Sequence, residues 1–142
     1  MFWGKKAPRD TDLAEDRAQL NSMARAFLEV TALDFDRASA LHQALVGTFY
    51  FGMVMAHCMA ARLRPAEVHA LGLLVFQDSL HYTPDAAIQA VQACIDATEP
   101  GAHDTMNAIL HRGIEGHRQF MAGDLEGLAG NMHAVLAHFD EA

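Results

Sequence analysis

The sequence of 142 residues predicts an all-α protein: a single domain over residues 1–142, with about six helices around a buried, uncharged central helix. Apolar residues recur at helical spacing along most of the chain, and no window alternates apolar and polar residues as a half-buried strand does. Ala, Leu, Met and Phe are prominent and Ile and Thr are few, which favours helices over strands. The length fits one domain and is too short for two independent cores.

The first predicted helix spans about residues 11–33 and follows residues 1–10, which we expect to form a flexible N-terminal arm. The apolar positions of this helix lie three, four or seven residues apart, so they gather on one face. These positions are Leu13, Leu20, Met23, Phe27 and Val30. The opposite face is charged and should be solvated.

The second predicted helix, at about residues 36–62, is the centre of the bundle. Residues 38–61 include no Lys, Arg, Asp or Glu. A run of this length could span a bilayer, but His42 and His57 dilute it and the neighbouring segments are amphipathic. We therefore interpret it as a core helix surrounded by the others. Asp34-Phe35-Asp36 should supply the oxygen that caps its start.

Proline and capping residues mark the next two helices. Pro65 stands where the third helix should begin, at about residues 65–81, and Glu67 favours its first turn. Thr83-Pro84-Asp85 combines a cap, a proline and a carboxylate at the positive end of the helix dipole, so it is the strongest start signal. The fourth helix should end before Glu99.

The last two helices are separated by a glycine and an aspartate. The fifth should span about residues 104–121, and Gly123 should close it. Asp124 should then cap a sixth helix that continues through Phe139. Short connections of this kind are typical of a helical bundle.

The charge of the chain narrows the class of partner. The formal net charge is −8 and the sequence pI is about 5.4. This balance argues against direct binding of nucleic acid and against adhesion to an anionic membrane. It is compatible with an electropositive protein partner, although an acidic surplus can also serve solubility alone.

Localisation is predicted from the N-terminus and the cysteines. No apolar run follows the basic residues near the N-terminus, so no signal peptide is predicted. Cys58 and Cys94 lie in apolar helical patterns and should be buried free thiols of a reduced compartment. We therefore expect a cytoplasmic protein.

Two polar clusters are the candidate partner-binding sites. The first surrounds the turn between the third and fourth helices, where a tyrosine with acidic neighbours is typical of an interface anchor. The second surrounds the start of the fifth helix. The predicted partner-binding residues are Gln77, Asp78, His81, Tyr82, Asp85, His103, Asp104, Asn107 and Glu115. Capping and packing are the alternative explanation of the first cluster.

A metal-binding helical bundle is the competing hypothesis. Asp78 and His81 lie three residues apart on one helix, and His111 and Glu115 lie four apart on another, so each pair could point one way. The pattern is incomplete, since the chain has no Glu-x-x-His, no His-Glu-x-x-His and no zinc-type cysteine spacing. We therefore predict no metal site and no cofactor.

Catalysis is not predicted either. The chain has no serine at a strand-to-helix elbow, no glycine-rich phosphate loop and no basic sequence context that would activate a cysteine. We therefore expect a binding protein rather than an enzyme. A helical dimerisation or scaffold module, or a homo-oligomer, remains an alternative.

Three segments carry a resemblance to a known family: residues 76–85, Val91-Gln92-Ala93-Cys94-Ile95-Asp96 and His103-Asp104-Thr105-Met106-Asn107-Ala108-Ile109. The chain resembles, over about residues 34–120, small all-helical immunity proteins encoded beside polymorphic toxins in bacteria, closest to the immunity protein 48 family. The resemblance implies that the protein binds a cognate toxin, such as an effector of a type VI secretion system, and protects the producing cell. The acidic charge adds the hypothesis that the toxin is a nuclease with a basic cleft, although toxins that attack nucleotides or NAD would fit equally well.

Overall fold

The computed structural model describes residues 13–140, and within that range the chain forms six α-helices, one short 3-10 helix and no strand. This confirms the predicted all-α bundle. The helices are α1 (Leu13–Val30), α2 (Ala40–Ala60), α3 (Pro65–Leu80), α4 (Pro84–Asp96), α5 (Asp104–Met121) and α6 (Leu125–Asp140), and the 3-10 helix spans Phe35–Arg37. The predicted arm at residues 1–10 lies outside the described residues.

Helix α2 is the uncharged central helix that the sequence predicts. Phe49, Tyr50 and Met53 are fully buried, and the apolar cluster around them includes residues from all six helices. By length and composition alone α2 is also long and apolar enough to cross a membrane, but 67% of its apolar window is buried inside the bundle. The hydroxyl of Tyr50 donates a hydrogen bond to the backbone carbonyl of Leu20, which ties α2 to α1.

The start of α2 differs from the prediction. The helix begins at Ala40 instead of residue 36, and its cap is Ser39, whose Oγ accepts a hydrogen bond from the His42 backbone N–H at 3.1 Å. The Asp34 side chain makes no capping hydrogen bond. The preceding residues form the 3-10 helix, which buries Phe35, and Gln43 donates to the Phe35 carbonyl at 2.9 Å. Burial of Phe35 therefore decides where the helix starts.

Three predicted helix ends, at residues 33, 62 and 81, are also too late, because the reversals there use residues other than glycine. Ala32, Arg62 and His81 adopt the left-handed conformation, with φ of 57°, 60° and 60°. At the end of α3, for example, the Tyr82 N–H donates across the turn to the Phe76 carbonyl at 3.1 Å. Glycine usually holds this position after a helix, so a sequence without glycine there gives no sign that the helix ends.

Two glycines allow the closest approach of helices, between α2 and α5. A Cβ atom at Gly52 would lie 2.2 Å from the Leu110 carbonyl oxygen, and one at Gly113 would lie 2.0 Å from the Phe49 carbonyl oxygen. Backbone therefore packs on backbone at this crossing. Gly47 in the same helix instead faces the Tyr82 hydroxyl, 3.2 Å from where its Cβ would be.

Candidate partner-binding surface

The turn between α3 and α4 holds the first predicted cluster and is organised by Tyr82. The tyrosine ring packs on Phe35 and Phe76, with centroid distances of 5.9 and 5.3 Å. It also borders a surface cleft of about 420 Å³. Burial, and then the nearby Cys94, raises the pKa of the Tyr82 hydroxyl, which keeps it protonated. Tyr82 is thus a half-buried aromatic residue with one edge at the surface.

Asp78 has a structural role that the sequence did not reveal. Its carboxylate receives two hydrogen bonds from the Arg17 guanidinium, at 2.7 and 2.9 Å, and a third from Asn21 at 2.9 Å. Asn21 in turn accepts a hydrogen bond from Ser79 at 2.6 Å. The Arg17 and Asn21 hydrogen bonds hold the pKa of Asp78 below its usual range. This network joins α1 to α3 and neutralises the charge of Asp78.

The other three residues of the first cluster differ in how much they present to solvent. Gln77 donates to the Leu73 carbonyl of its own helix at 2.9 Å. His81 places Nδ1 3.1 Å from both carboxylate oxygens of Asp36, and its side chain is 64% exposed. Asp85 is exposed in the first turn of α4. His81 and Asp85 are therefore the polar groups of this cluster best placed to meet a partner.

The second predicted cluster is largely engaged in shaping the start of α5. His103 caps the helix, with Nδ1 accepting a hydrogen bond from the Met106 N–H at 3.2 Å. Asn107 donates to the Ala97 carbonyl just beyond α4, at 3.0 Å. Asp104 is exposed and makes none of these bonds. Asp104 is thus the carboxylate of this cluster that remains open to a partner.

Glu115 is exposed but paired. Its carboxylate accepts hydrogen bonds from Arg118 Nε at 3.0 and 2.9 Å, one turn along α5. The Arg118 hydrogen bond lowers the pKa of Glu115. Glu115 therefore contributes little unpaired negative charge to the surface.

The two clusters are not neighbours, because they lie at opposite ends of α4. Asp85 stands in the first turn of that helix, whereas Asn107 contacts Ala97 directly after its last turn. Thirteen helical residues between the two ends correspond to about 20 Å. Any partner that contacts both clusters must also cover the surface of α4 between them.

The four residues of the metal hypothesis are held apart by separate partners. Asp78 pairs with Arg17, His81 with Asp36 and Glu115 with Arg118. His111 places Nδ1 2.9 Å from the backbone carbonyl of Asn107. Within residues 13–140, no group of three or more His, Cys, Asp or Glu side chains is arranged to hold a metal ion.

The two cysteines are buried free thiols, as predicted from their apolar surroundings. Burial raises the pKa of both Cys58 and Cys94 to about 12. Neither side chain is therefore placed to supply a thiolate at neutral pH.

Sequence reasoning missed a cleft of about 560 Å³ bordered by α1, α2 and α5, in which Asp16, His57 and His117 stand among mostly apolar side chains. Asp16, only 8% exposed, accepts a hydrogen bond from His57 Nε2 at 2.9 Å. The His57 ring meets His117 edge to face, with a centroid distance of 6.4 Å. Burial, and then His57, lowers the pKa of His117. The three residues are far apart in the sequence, so no local motif announces them.

The sequence does contain a signal that points to α4. Residues 65–111 include no Lys or Arg but six carboxylates, at Glu67, Asp78, Asp85, Asp96, Glu99 and Asp104. Four of these six, from Asp85 to Asp104, are exposed and lie on or beside α4. A search of the sequence for the longest segment without Lys or Arg would therefore have included α4 in the candidate surface. The predicted clusters alone mark only the two ends of this helix.

These features define an acidic, all-α bundle whose predicted partner-binding residues lie mostly at its surface. A family model described as immunity protein 48 matches residues 18–140. The chain belongs to the immunity protein 48 family. This match extends the resemblance seen over residues 34–120 to most of α1 and all of α6.

Membership of this family gives the chain an immunity function and implies a protein toxin as its partner. Such proteins are typically non-enzymatic. A search of curated proteins found no match, and a search of solved structures also found none.

Proposed function

We propose that the protein neutralises a cognate bacterial toxin by forming a tight, stoichiometric complex with it in the cytoplasm. The observation that carries this proposal is the family match over residues 18–140, which includes most of the bundle. Direct binding is the mode of action that agrees with a surface rich in exposed carboxylates and with a tightly packed apolar core. The toxin would be an effector of a secretion system such as type VI, acting inside the recipient cell.

We further propose that the toxin presents a basic surface, as the cleft of a nuclease does. Residues 13–140 hold fifteen carboxylates and seven arginines, and lysine is confined to Lys5 and Lys6. An acidic protein would be attracted to a cleft built for phosphates and would compete there with the nucleic acid backbone. Long-range attraction of this kind raises the association rate more than it raises affinity.

Co-expression with the toxin encoded beside this chain tests the proposed function. We expect the toxin alone to stop growth of the host, and co-expression of the chain to restore it. The purified pair should form a complex of one to one stoichiometry by light scattering. A toxin that kills equally well in both cultures and elutes apart from the chain would refute the proposal, and the substrate that it degrades decides whether it is a nuclease.

The structure selects which of the nine predicted residues make informative variants. Replacing Asp85 and Asp104 with Asn removes two exposed charges, one in the first turn of α4 and one at the start of α5, without touching an internal ion pair. Asp78 is less suitable, because a change there disrupts the Arg17 network and confounds binding with folding. We expect D85N/D104N to weaken association with the toxin while its circular dichroism spectrum stays the same.

A further inference from the structure

The outer face of α4 is a continuous solvent-facing stripe. The helix buries Ala87, Val91 and Cys94 against the bundle. Its exposed residues at the opposite side are Asp85, Ile88, Gln89, Gln92, Ala93 and Asp96. At 100° per residue these six fall within an arc of about 140°, so they share one side of the helix. The stripe runs for about 17 Å from the first carboxylate to the last.

Ile88 stands in this stripe with 52% of its surface exposed. Few isoleucines are left so open, because burying such a side chain is worth about 2 kcal/mol. The nearest Lys or Arg residues in the sequence are Arg64 and Arg112, each 24 positions away. Other exposed apolar side chains have arginines close by: Met59 is followed by Arg62, and Met121 is preceded by Arg118. On the exposed face of α4, the polar side chains that accompany Ile88 are therefore all carboxylates or amides, and none is a cation.

We propose that the toxin binds over the outer face of α4, with Ile88 entering an apolar pocket and Asp85 and Asp96 meeting basic side chains on either side of it. A buried apolar anchor surrounded by polar contacts is the usual arrangement of energetically dominant interface residues. The complementary toxin surface would carry Lys or Arg groups about 17 Å apart with an apolar depression between them. This inference rests on the proposed function, since it names the surface through which that function is exerted.

Two features favour the toxin over a second copy of this chain as the occupant. Two α4 faces packed together would bring carboxylates opposite carboxylates, with no cation on either helix to offset them. In addition, the stripe connects the two predicted clusters, since His81 lies just before it and Asp104 shortly after it. One partner lying along α4 can therefore contact both ends, which brings the surface toward the roughly 800 Å² that a stable complex buries on each side.

Binding measurements with a catalytically inactive form of the toxin test the inference. We expect I88A to weaken the complex about tenfold or more, mostly through faster dissociation. D85N/D96N should slow association, and the loss should shrink at high salt. Gln92 already donates to Asp96 at 2.9 Å and can donate equally to an asparagine, so the helix stays intact.

The matched control is E29Q/E126Q, which removes two exposed charges from α1 and α6 and leaves the same net charge as D85N/D96N. L125A, at another exposed apolar residue, is the control for I88A. Both controls should bind within about twofold of the unmodified chain. If the unmodified chain does not bind the toxin, the proposed function itself fails. If it binds and the α4 variants behave like their controls, or if I88A dissociates a homodimer instead, the inference is overturned while the proposed function stands.

Discussion

At the scale of single residues, the structure separates side chains that look alike in the sequence. Asp78 and Asp85 both flank the turn between α3 and α4 and both are exposed, yet Asp78 is bound by Arg17 and Asn21, whereas Asp85 has no such hydrogen bond within residues 13–140. The sequence could identify this turn as polar, but Arg17 is 61 positions from Asp78, and only tertiary packing brings them together. Pairings over such distances are what single-sequence reasoning cannot supply.

The Asp78 network predicts a specific loss of stability. We expect D78N to lower the free energy of unfolding by about 1 kcal/mol at pH 7, since the ion pair is partly exposed. Because the pKa of Asp78 is lowered in the folded state, this contribution is present above the ordinary carboxyl pKa and is lost as pH falls through the folded value. Urea unfolding at pH 7 and pH 3 measures it, with E29Q as the control. An identical midpoint for D78N and E29Q at pH 7 would contradict the prediction.

His117 predicts a second pH dependence with the same direction. Burial and His57 lower its pKa from 6.5, so the unfolded chain takes up this proton at a higher pH than the folded one. The contribution of neutral His117 to the free energy of unfolding should therefore be fully present above pH 6.5 and be lost as pH falls through the folded pKa. Thermal unfolding from pH 7.5 to pH 5 should show a smaller decline for H117Q than for the unmodified chain. Parallel curves for the two proteins would argue that His117 does not titrate in this way.

At the scale of helices, the starts were easier to predict than the ends. Pro65, the Thr83 cap and the Asp124 cap gave correct starts because each signal lies at the first turn itself. Ends at Ala32 and His81 were missed because a non-glycine residue adopts the left-handed conformation there. The start of α2 was missed because burial of Phe35 outweighs the capping potential of its acidic neighbours.

The left-handed Ala32 predicts a stabilising substitution. An alanine in this conformation costs about 1 kcal/mol that glycine does not pay, so A32G should raise the free energy of unfolding by several tenths of a kcal/mol. The same exchange inside α1, at exposed Ala18, should instead lower it by about 1 kcal/mol. Urea unfolding of the two variants checks the opposite signs, and destabilisation by both would show that the turn does not hold Ala32 as described.

The crossing of α2 and α5 predicts a destabilising exchange of glycine for alanine. In G113A the new Cβ would lie 2.0 Å from the Phe49 carbonyl oxygen, so the helices must separate. We expect a loss of at least about 2 kcal/mol. Gly130 in α6 has no atom within 4 Å of its virtual Cβ, so G130A should gain up to about 1 kcal/mol from helix propensity. A G113A protein as stable as G130A in thermal unfolding would refute the close crossing.

At the scale of the whole molecule, composition and periodicity predict the fold class well because burial of apolar faces is a property of every helix. The binding surface was predicted only in part. Its two ends carry recognisable polar residues, but the α4 face between them depends on which side of the helix is covered, and thus on the packing of α2, α3 and α5 around it. Charge, unlike packing, can be read directly from the sequence.

A net charge of −8 should make recognition of a basic toxin strongly dependent on ionic strength. The Debye length shrinks from about 30 Å at 0.01 M salt to about 8 Å at 0.15 M, so attraction acting beyond contact distance is largely screened in the second condition. The association rate should therefore fall by about tenfold or more across this range, whereas the dissociation rate, which reflects contacts already made, should change much less. Stopped-flow mixing of the chain with inactive toxin measures both rates. As a control, sodium chloride and potassium glutamate at equal ionic strength should give the same rates, because screening depends on ionic strength and not on the kind of anion. An association rate that stays constant with salt would mean that the acidic charge serves solubility and that the toxin recognises the helical bundle by shape and apolar contact instead.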